Sequence, residues 1–349
     1  MMLVTTSLPV AITTEDQLDD ALTTPSPALV EFMRRLDGDF AILGIAGKMG
    51  ATLGGAAVRA IRQAGVKKTV YGVARFSDPA SRERIAGLGI EAIAADLLDP
   101  SAVAALPRVA NVVFMAGRKF GTEEGAALTW AINTLVPAHV AAHFASSRIV
   151  AFSTGCVYPL VAATSSGCAE DQPPAPVGEY AQSCLGRERI FEHFSRVRGT
   201  PVCLIRLNYA IDLRYGVLHD IARRIWAQAP VDLTVPCFNA IWQGDAAHHA
   251  LLAFEHCASP PAIINVTGLE RIGVRQVARE LARHMSKLVA FTGDDGPVAY
   301  LSDAARAARL FGPPRVPLAC MIRWTAEWVM SGGRSLELPT HFEINTGRF

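Results

Sequence analysis

Six short apolar runs recur along this chain with helical stretches between them, and no other feature restricts its fold as strongly. They are FAILGIA (40–46), TVYGVAR (69–75), IEAIAADL (90–97), NVVFMAG (111–117), RIVAFST (148–154) and PVCLIRL (201–207). Runs of this length with apolar residues on both faces read as buried strands. Helical patterns at 81–88, 129–145 and 180–198 fall between them. Strands alternating with helices imply right-handed crossovers, and hence an α/β fold with a doubly wound parallel sheet covered on both faces. After residue 207 the regularity weakens: helices are expected near 217–227, 245–257, 274–285 and 320–330, with one more strand, AIINV, at 262–266. This tail predicts a smaller C-terminal α/β lobe. Before the first strand, Pro27 stands at a helix start and Leu29, Phe32, Met33 and Leu36 follow at helical spacing, which predicts a covering helix.

A chain of 349 residues, at about 150 per domain, makes roughly two compact units. Thirty-three Lys and Arg against 32 Asp and Glu, without a basic block, exclude an electrostatic footprint for nucleic acid or an anionic membrane. A small neutral or anionic ligand fits better. No stretch reaches the ~18 apolar residues of a membrane span, and the N-terminus MMLVTTSLPVAITTEDQ has neither a basic nor a long apolar region. The expected location is therefore cytoplasmic. Seven scattered cysteines without a Cys-x-x-Cys pair predict buried free thiols rather than disulfides or a zinc knuckle.

The first strand runs into Gly44-Ile45-Ala46-Gly47-Lys48-Met49-Gly50, followed by a small-residue helix. Glycines at 44, 47 and 50 let the backbone turn tightly and approach a pyrophosphate, while the helix start offers N–H groups and a positive dipole end. This predicts dinucleotide binding by the loop, Lys48 and Met49 included. A phosphate-loop NTPase is rejected, because Ile42 and Met49 occupy positions where it needs Gly and Ser or Thr. Where an acidic residue would meet an unphosphorylated ribose, the second strand ends in Arg75. An Arg suits a 2′-phosphate, so NADP is expected, with NAD the alternative if Arg75 only stacks on adenine. Asp96 ends the third strand as a partner for the adenine amine, or as a helix cap or turn residue.

Together with Asp96-Leu97, Met115-Ala116-Gly117, Asn133, the segment Ser153 to Tyr158, Tyr180, Arg206-Leu207-Asn208 and Ile264 to Gly268, the loop resembles the extended short-chain dehydrogenase/reductase family, in its NAD-dependent epimerase/dehydratase branch. The resemblance runs over roughly residues 39 to 330. It implies a Rossmann domain over 39–207 with returning segments at about 241–268, a substrate lobe over 208–240 and 269–349, and an extension over 1–38. It places Gly44, Gly47, Gly50, Leu97, Met115, Ala116, Gly117, Asn133, Tyr180 and Asn208 at the cofactor. Thr154 matches the residue that polarises a hydroxyl or carbonyl, and Tyr180 the catalytic Tyr. Cys156 and Asn208, with Arg118 and Arg214, are the substrate candidates. A sugar, sugar acid or nucleotide sugar is the implied substrate, and a homodimer through the helices flanking Tyr180 the implied assembly.

One position departs from the pattern. The family requires Lys four residues after the Tyr, and this chain has Cys184. A free phenol titrates near 10, so a usable base near neutrality needs a shift of about 3 units, roughly 4 kcal/mol, which the Lys ammonium helps to supply. Lys119, or failing it Arg118, is expected to replace that charge from the loop after the fourth strand; a solvated basic pair is the other reading of this loop. Arg187 shares the helix face of Tyr180 but lies about 10 Å further along the axis and ranks lower. No metal is expected: His139 and His143, like His248, His249 and His256, lack a nearby carboxylate or Cys to complete a site. Two readings follow, an NAD(P)-dependent oxidoreductase, epimerase or dehydratase, or a catalytically silent dinucleotide sensor or scaffold.

Overall fold

In the computed structural model, which describes residues 8–119, 125–344 and 346, the apolar runs form one seven-stranded parallel sheet. Its strands are β1 (Phe40–Leu43), β2 (Val70–Ala74), β3 (Glu91–Ala94), β4 (Asn111–Phe114), β5 (Arg148–Thr154), β6 (Val202–Leu207) and β7 (Ala262–Val266). Their spatial order is 3-2-1-4-5-6-7. The progression reverses between β1 and β4, and there the carboxyl ends of the strands border a crevice that a ligand can enter.

Helices α1 (Glu15–Thr23) and α2 (Pro27–Arg35) precede the sheet, and α3 (Gly50–Ala64), α4 (Pro79–Gly87) and α5 (Pro100–Ala104) link its first four strands. Next come α6 (Ala126–Trp130), a π-helical turn (Ala131–Leu135) and α7 (Val136–His143), which lead into β5. Helix α8 (Gly178–Arg198) leads into β6. The remainder holds α9 (Val217–Trp226), α10 (Gln243–Leu252), α11 (Val274–His284), α12 (Ala305–Phe311) and α13 (Leu318–Met330). Among the described residues, no helix is long and apolar enough to cross a membrane.

Alternation along β1 divides the packing. Phe40 and Ile42 face one core with α2, α3 and α10, whereas Ala41 and Leu43 face another with Val136, Val140 and Phe191. A further core gathers Trp242, Trp324 and Trp328 with α9 and α11, and Leu18 and Leu22 of α1 enter it. Residues ahead of the sheet are thus part of two cores. Thr14 starts α1 with a capping box to Gln17, and Ser26 with Pro27 starts α2, so both helices form where their sequences provide a start.

Candidate active site

At the end of β1 the chain turns through Gly44, whose φ of +91° favours glycine. A Cβ there would lie 2.6 Å from the Ala116 nitrogen, so the loops after β1 and β4 approach as closely as backbone allows. Gly50 is equally constrained, since its Cβ would fall 1.9 Å from the Ile45 carbonyl oxygen. Helix α3 starts behind this loop with no side-chain cap at Met49, which leaves N-terminal N–H groups for a ligand.

In front of the loop lies a cleft of about 520 Å³. Its walls are Gly44 and Gly47, the end of β2 with Arg75, Asp96 and Leu97 after β3, and Met115, Ala116 and Gly117 after β4. Arg75 is exposed at the rim. Asp78, also in the wall, accepts from the Ala80 nitrogen at 3.1 Å and caps α4. Asp96 accepts from the Leu98 nitrogen at 3.0 Å, so one of its oxygens is occupied by the turn it starts.

A second cavity, of about 180 Å³, holds Thr154, Cys156, Tyr180, Lys48 and Lys119. It adjoins the cleft through two short stretches: Gly47 lines one and Lys48 the other, and likewise Gly117 and Lys119. Thr154 sits at the carboxyl end of β5, and Tyr180 in the first turn of α8. The two side chains are within hydrogen-bonding reach of each other. Burial, then the neighbouring thiols Cys184 and Cys156, push the Tyr180 phenol well above 10, against an opposing effect of Arg187. Burial pushes the Cys184 thiol up to about 11. Around neutral pH both groups therefore keep their protons, and Tyr180 acts as a hydrogen-bond donor.

Arg187 is nearer the site than its sequence distance suggests. Its guanidinium reaches back along α8, donating to the Phe152 carbonyl at 2.9 Å and to Asn133 Oδ1 at 2.6 Å. A Cβ on Gly117 would lie 2.5 Å from it. Arg187 lowers the pKa of both Tyr180 and Cys184, so the low rank given to it on helix length alone is corrected: a long side chain covers the 10 Å. Asn133 lies in the π-helical turn, a feature frequent at functional sites. It accepts from the Arg118 nitrogen and from Arg187, and donates to the Arg118 carbonyl and Ser183 Oγ. Its hydrogen-bonding capacity is thus spent on holding the loop after β4 against α8.

Three other sequence expectations are corrected by where the side chains go. Lys48 and Met49 line the second cavity rather than the cleft. Lys48 Nζ donates to the Ala210 carbonyl at 2.9 Å and stands 3.9 Å from the Tyr215 ring centroid. Arg214 is taken by Asp212, through Nε at 3.0 Å and Nη2 at 2.9 Å, and by Asp19 at 3.0 Å, so it braces α1 against the Asp212 segment instead of meeting a substrate. Asn208 is buried beside Gly155 and donates to the Tyr300 carbonyl at 3.3 Å, and it lines neither space. Lys119 does reach the cavity, donating to the Thr340 carbonyl at 3.1 Å. Cys156 lines the same cavity, and Arg118 contributes its main chain to the Asn133 contacts. Tyr215, a neighbour of Arg214 that the sequence offers as a further substrate contact, lines the cavity too, as do Tyr209 and Thr340, which carried no sequence signal. His139 and His143 bind the Leu97 and Leu106 carbonyls, and among the described residues no group of three metal-ligating side chains forms.

Behind β5 lies a buried ion pair. Arg206 meets Glu188 through Nε at 3.0 Å and Nη2 at 2.7 Å, and Ser153 Oγ donates to the same carboxylate at 2.5 Å. The guanidinium stacks 4.6 Å from the Tyr158 ring centroid. This pair anchors the residue preceding Thr154 to α8.

Residues 41–211 match the model of the NAD dependent epimerase/dehydratase family. No curated protein matches the sequence. Solved structures do. A UDP-glucose 4-epimerase from Thermotoga maritima, solved with UDP-glucose, superposes with a TM-score of 0.70 at 18% identity over 84% of this chain and 99% of its own. A UDP-glucuronic acid 4-epimerase variant from Bacillus cereus, solved with NAD and a fluorinated substrate analogue, gives 0.69 at 16% identity over 84% and 99%. The dTDP-glucose 4,6-dehydratase DesIV from Streptomyces venezuelae, with NAD bound, gives 0.69 at 18% identity over 84% and 97%.

Proposed function

We propose, from the match of residues 41–211 to the model of the NAD dependent epimerase/dehydratase family, that the protein is an NAD(P)-dependent enzyme that exchanges hydride at a carbinol or carbonyl of a sugar, sugar acid or nucleotide sugar. The observation that carries this reading is the meeting of Thr154, Tyr180 and Lys119 in one cavity beside a glycine-walled cleft. The cleft suits a dinucleotide: Gly44 leaves no room for a Cβ, and the rim offers Arg75 and Asp96 at the strand ends where a ribose and an adenine would lie. When bound, the nicotinamide supplies the hydride acceptor or donor.

The chain's own residues handle the oxygen. Thr154 and Tyr180 hold the reacting hydroxyl or carbonyl oxygen by hydrogen bonds, with Tyr180 donating as a neutral phenol. Lys119 supplies positive charge inside the cavity where the family Lys is missing. Arg187 adds a fixed charge from behind Gly117. An epimerase, a dehydratase and a reductase would all use this arrangement, and they differ in whether hydride returns to the substrate and from which face. Relatives of the same fold carry NAD or nucleotide-sugar ligands, which supports the substrate class. A homodimer through the helices flanking Tyr180 belongs to the same reading.

The test is titration of the purified protein with NADPH and NADH, followed by a hydride-exchange screen with sugars, sugar acids and nucleotide sugars. Turnover with either cofactor supports the enzyme. Tight binding without turnover across the screen favours the silent sensor, the reading to which Cys184 in the Lys position lends weight. No binding of either dinucleotide overturns both.

Arg75 decides the preferred cofactor. A charge-assisted hydrogen bond to a 2′-phosphate is worth about 1.5–3 kcal/mol, so Arg75→Ala is expected to weaken NADPH by about tenfold to a hundredfold and to leave NADH nearly unchanged. Equal losses for both cofactors would show that the guanidinium stacks on adenine without reading the phosphate.

A further inference from the structure

Helix α8 carries its buried cation one turn later than the family pattern places it. Cys184 stands where that pattern has Lys, and its side chain is fully buried. Arg187, three residues on and on the same helix face, is buried too, with 6% of its surface exposed. Arginines on a helix usually run their charge out to water. Here the guanidinium turns inward and is fixed from three sides. Nη1 donates to the Phe152 carbonyl in β5 at 2.9 Å, Nη2 donates to Asn133 Oδ1 at 2.6 Å, and Cζ stands 5.6 Å from the Phe114 ring centroid. Asn133 Nδ2 in turn donates to Ser183 Oγ at 2.9 Å, so one amide clasps α8 on both sides of Cys184. A Cβ on Gly117, in the wall of the glycine-lined cleft, would lie 2.5 Å from Nη2. This corner therefore has room for one cationic side chain. Two, at 184 and 187, would repel across a single turn with little water to screen them.

We propose that Arg187 is a positioning residue that takes over the role of the absent Lys, and that Cys184 is the small neutral neighbour its guanidinium requires. The two positions are alternatives: a cation at 187 excludes one at 184. This deepens the function proposed above and rests on reading Tyr180 as catalytic. Arg187 acts through other groups. Its hydrogen bonds tie the loop after β4 and the end of β5 to α8, which sets Gly117 in the cleft wall and holds Thr154, two residues after Phe152, beside Tyr180.

The electrostatics run the same way. Burial, then Cys184 and Cys156, hold the proton on the Tyr180 phenol, and the Arg187 charge opposes them. Arg187 also opposes the burial that raises the Cys184 thiol, so its field reaches both side chains. A phenol made more acidic in this way gives a stronger hydrogen bond to an oxygen that gains negative charge.

The experiment is a double-variant cycle on the full-length protein, read by thermal melting and by reduction of NAD and NADP with UDP-glucose, UDP-glucuronate, D-glucose and D-glucuronate. Cys184→Lys is expected to lower the melting temperature by about 5 °C or more, because it encloses a second cation beside the guanidinium. Adding Arg187→Leu should recover most of that loss, and a Cys184→Lys chain that folds only when Arg187 is also replaced is the same result. Losses that simply add would overturn the exchange of positions. In the reaction, Arg187→Gln keeps a donor for Asn133 but not the charge, and should slow hydride transfer by about tenfold or more. Arg187→Lys keeps the charge and should stay within about threefold of the parent, and Cys184→Lys with Arg187→Leu should be faster than Arg187→Leu alone. Gln and Lys variants slowed alike, or neither slowed, would overturn the proposal. A parent protein that reduces neither cofactor with any of these probes counts against the broader reading, while the melting cycle still decides whether cations at 184 and 187 exclude each other.

Discussion

Turnover of the Tyr180→Phe variant is expected to fall by about 10²–10⁴-fold while the protein folds normally, because the substitution removes one hydroxyl and little packing. The size follows from the local chemistry. Tyr180 is held above its ordinary pKa by burial and by two thiols, so in the proposed reaction it offers a positioned proton rather than a phenolate. Thr154 keeps its bond from the Cys156 nitrogen at 3.2 Å and remains oriented without the phenol. Single-turnover hydride transfer, followed by nicotinamide absorbance, measures the loss. A variant within about threefold of the parent would remove Tyr180 from the chemistry and leave Thr154 and Lys119 to carry it. The pH profile adds a second reading: the Tyr180 proton, whose pKa burial raises, is lost only in strongly alkaline solution, so a fall in activity at a less alkaline pH reports the Lys119 amine, which burial lowers.

Removing Glu188 is expected to be the most damaging single change to stability. Glu188→Ala leaves the Arg206 guanidinium buried against Tyr158 with its carboxylate partner gone. Breaking one half of such a pair typically costs about 3–5 kcal/mol, a large part of the about 5–15 kcal/mol that holds a domain folded. Urea denaturation should show the midpoint falling accordingly, and Glu188→Ala combined with Arg206→Met should recover much of the loss, since no charge then stays buried. A single-variant loss below about 1 kcal/mol would mean that water or another group reaches Arg206. Ser153 donates to the same carboxylate, so the single variant should also loosen the end of β5 that positions Thr154.

Much of the fold was legible in the residues themselves. Each of the six regular apolar runs became a strand of the seven-stranded parallel sheet, and AIINV joined it beside β6. The glycine loop was legible for a steric reason: only glycine fits at 44 and 50, where a Cβ would meet Ala116 or Ile45. Thr154 and Tyr180 could be paired because the resemblance places them together. Arg187 was undervalued because rise per residue measures distance between backbones, while a guanidinium can reach back along its own helix to Asn133.

Lys48 and Arg214 mark the limit more sharply. A lysine inside a glycine loop reads as a phosphate ligand, yet its side chain crosses to the Ala210 carbonyl, 162 residues away in sequence. Arg214 has the look of an anion binder in a variable lobe, until α1 brings Asp19 and Glu15 to it. Thr340 reaches Lys119 across 221 residues and offers no periodicity or motif to announce itself.

What the sequence determined by itself was whatever arises within a few residues: strand and helix periodicity, the turn that demands glycine, the helix starts, and the loss of an ammonium one turn after Tyr180. What only the tertiary structure decided was which charges share a cavity and which are already paired. Those partners come from distant segments, and a side chain's direction and electrostatic surroundings exist only once the segments have packed.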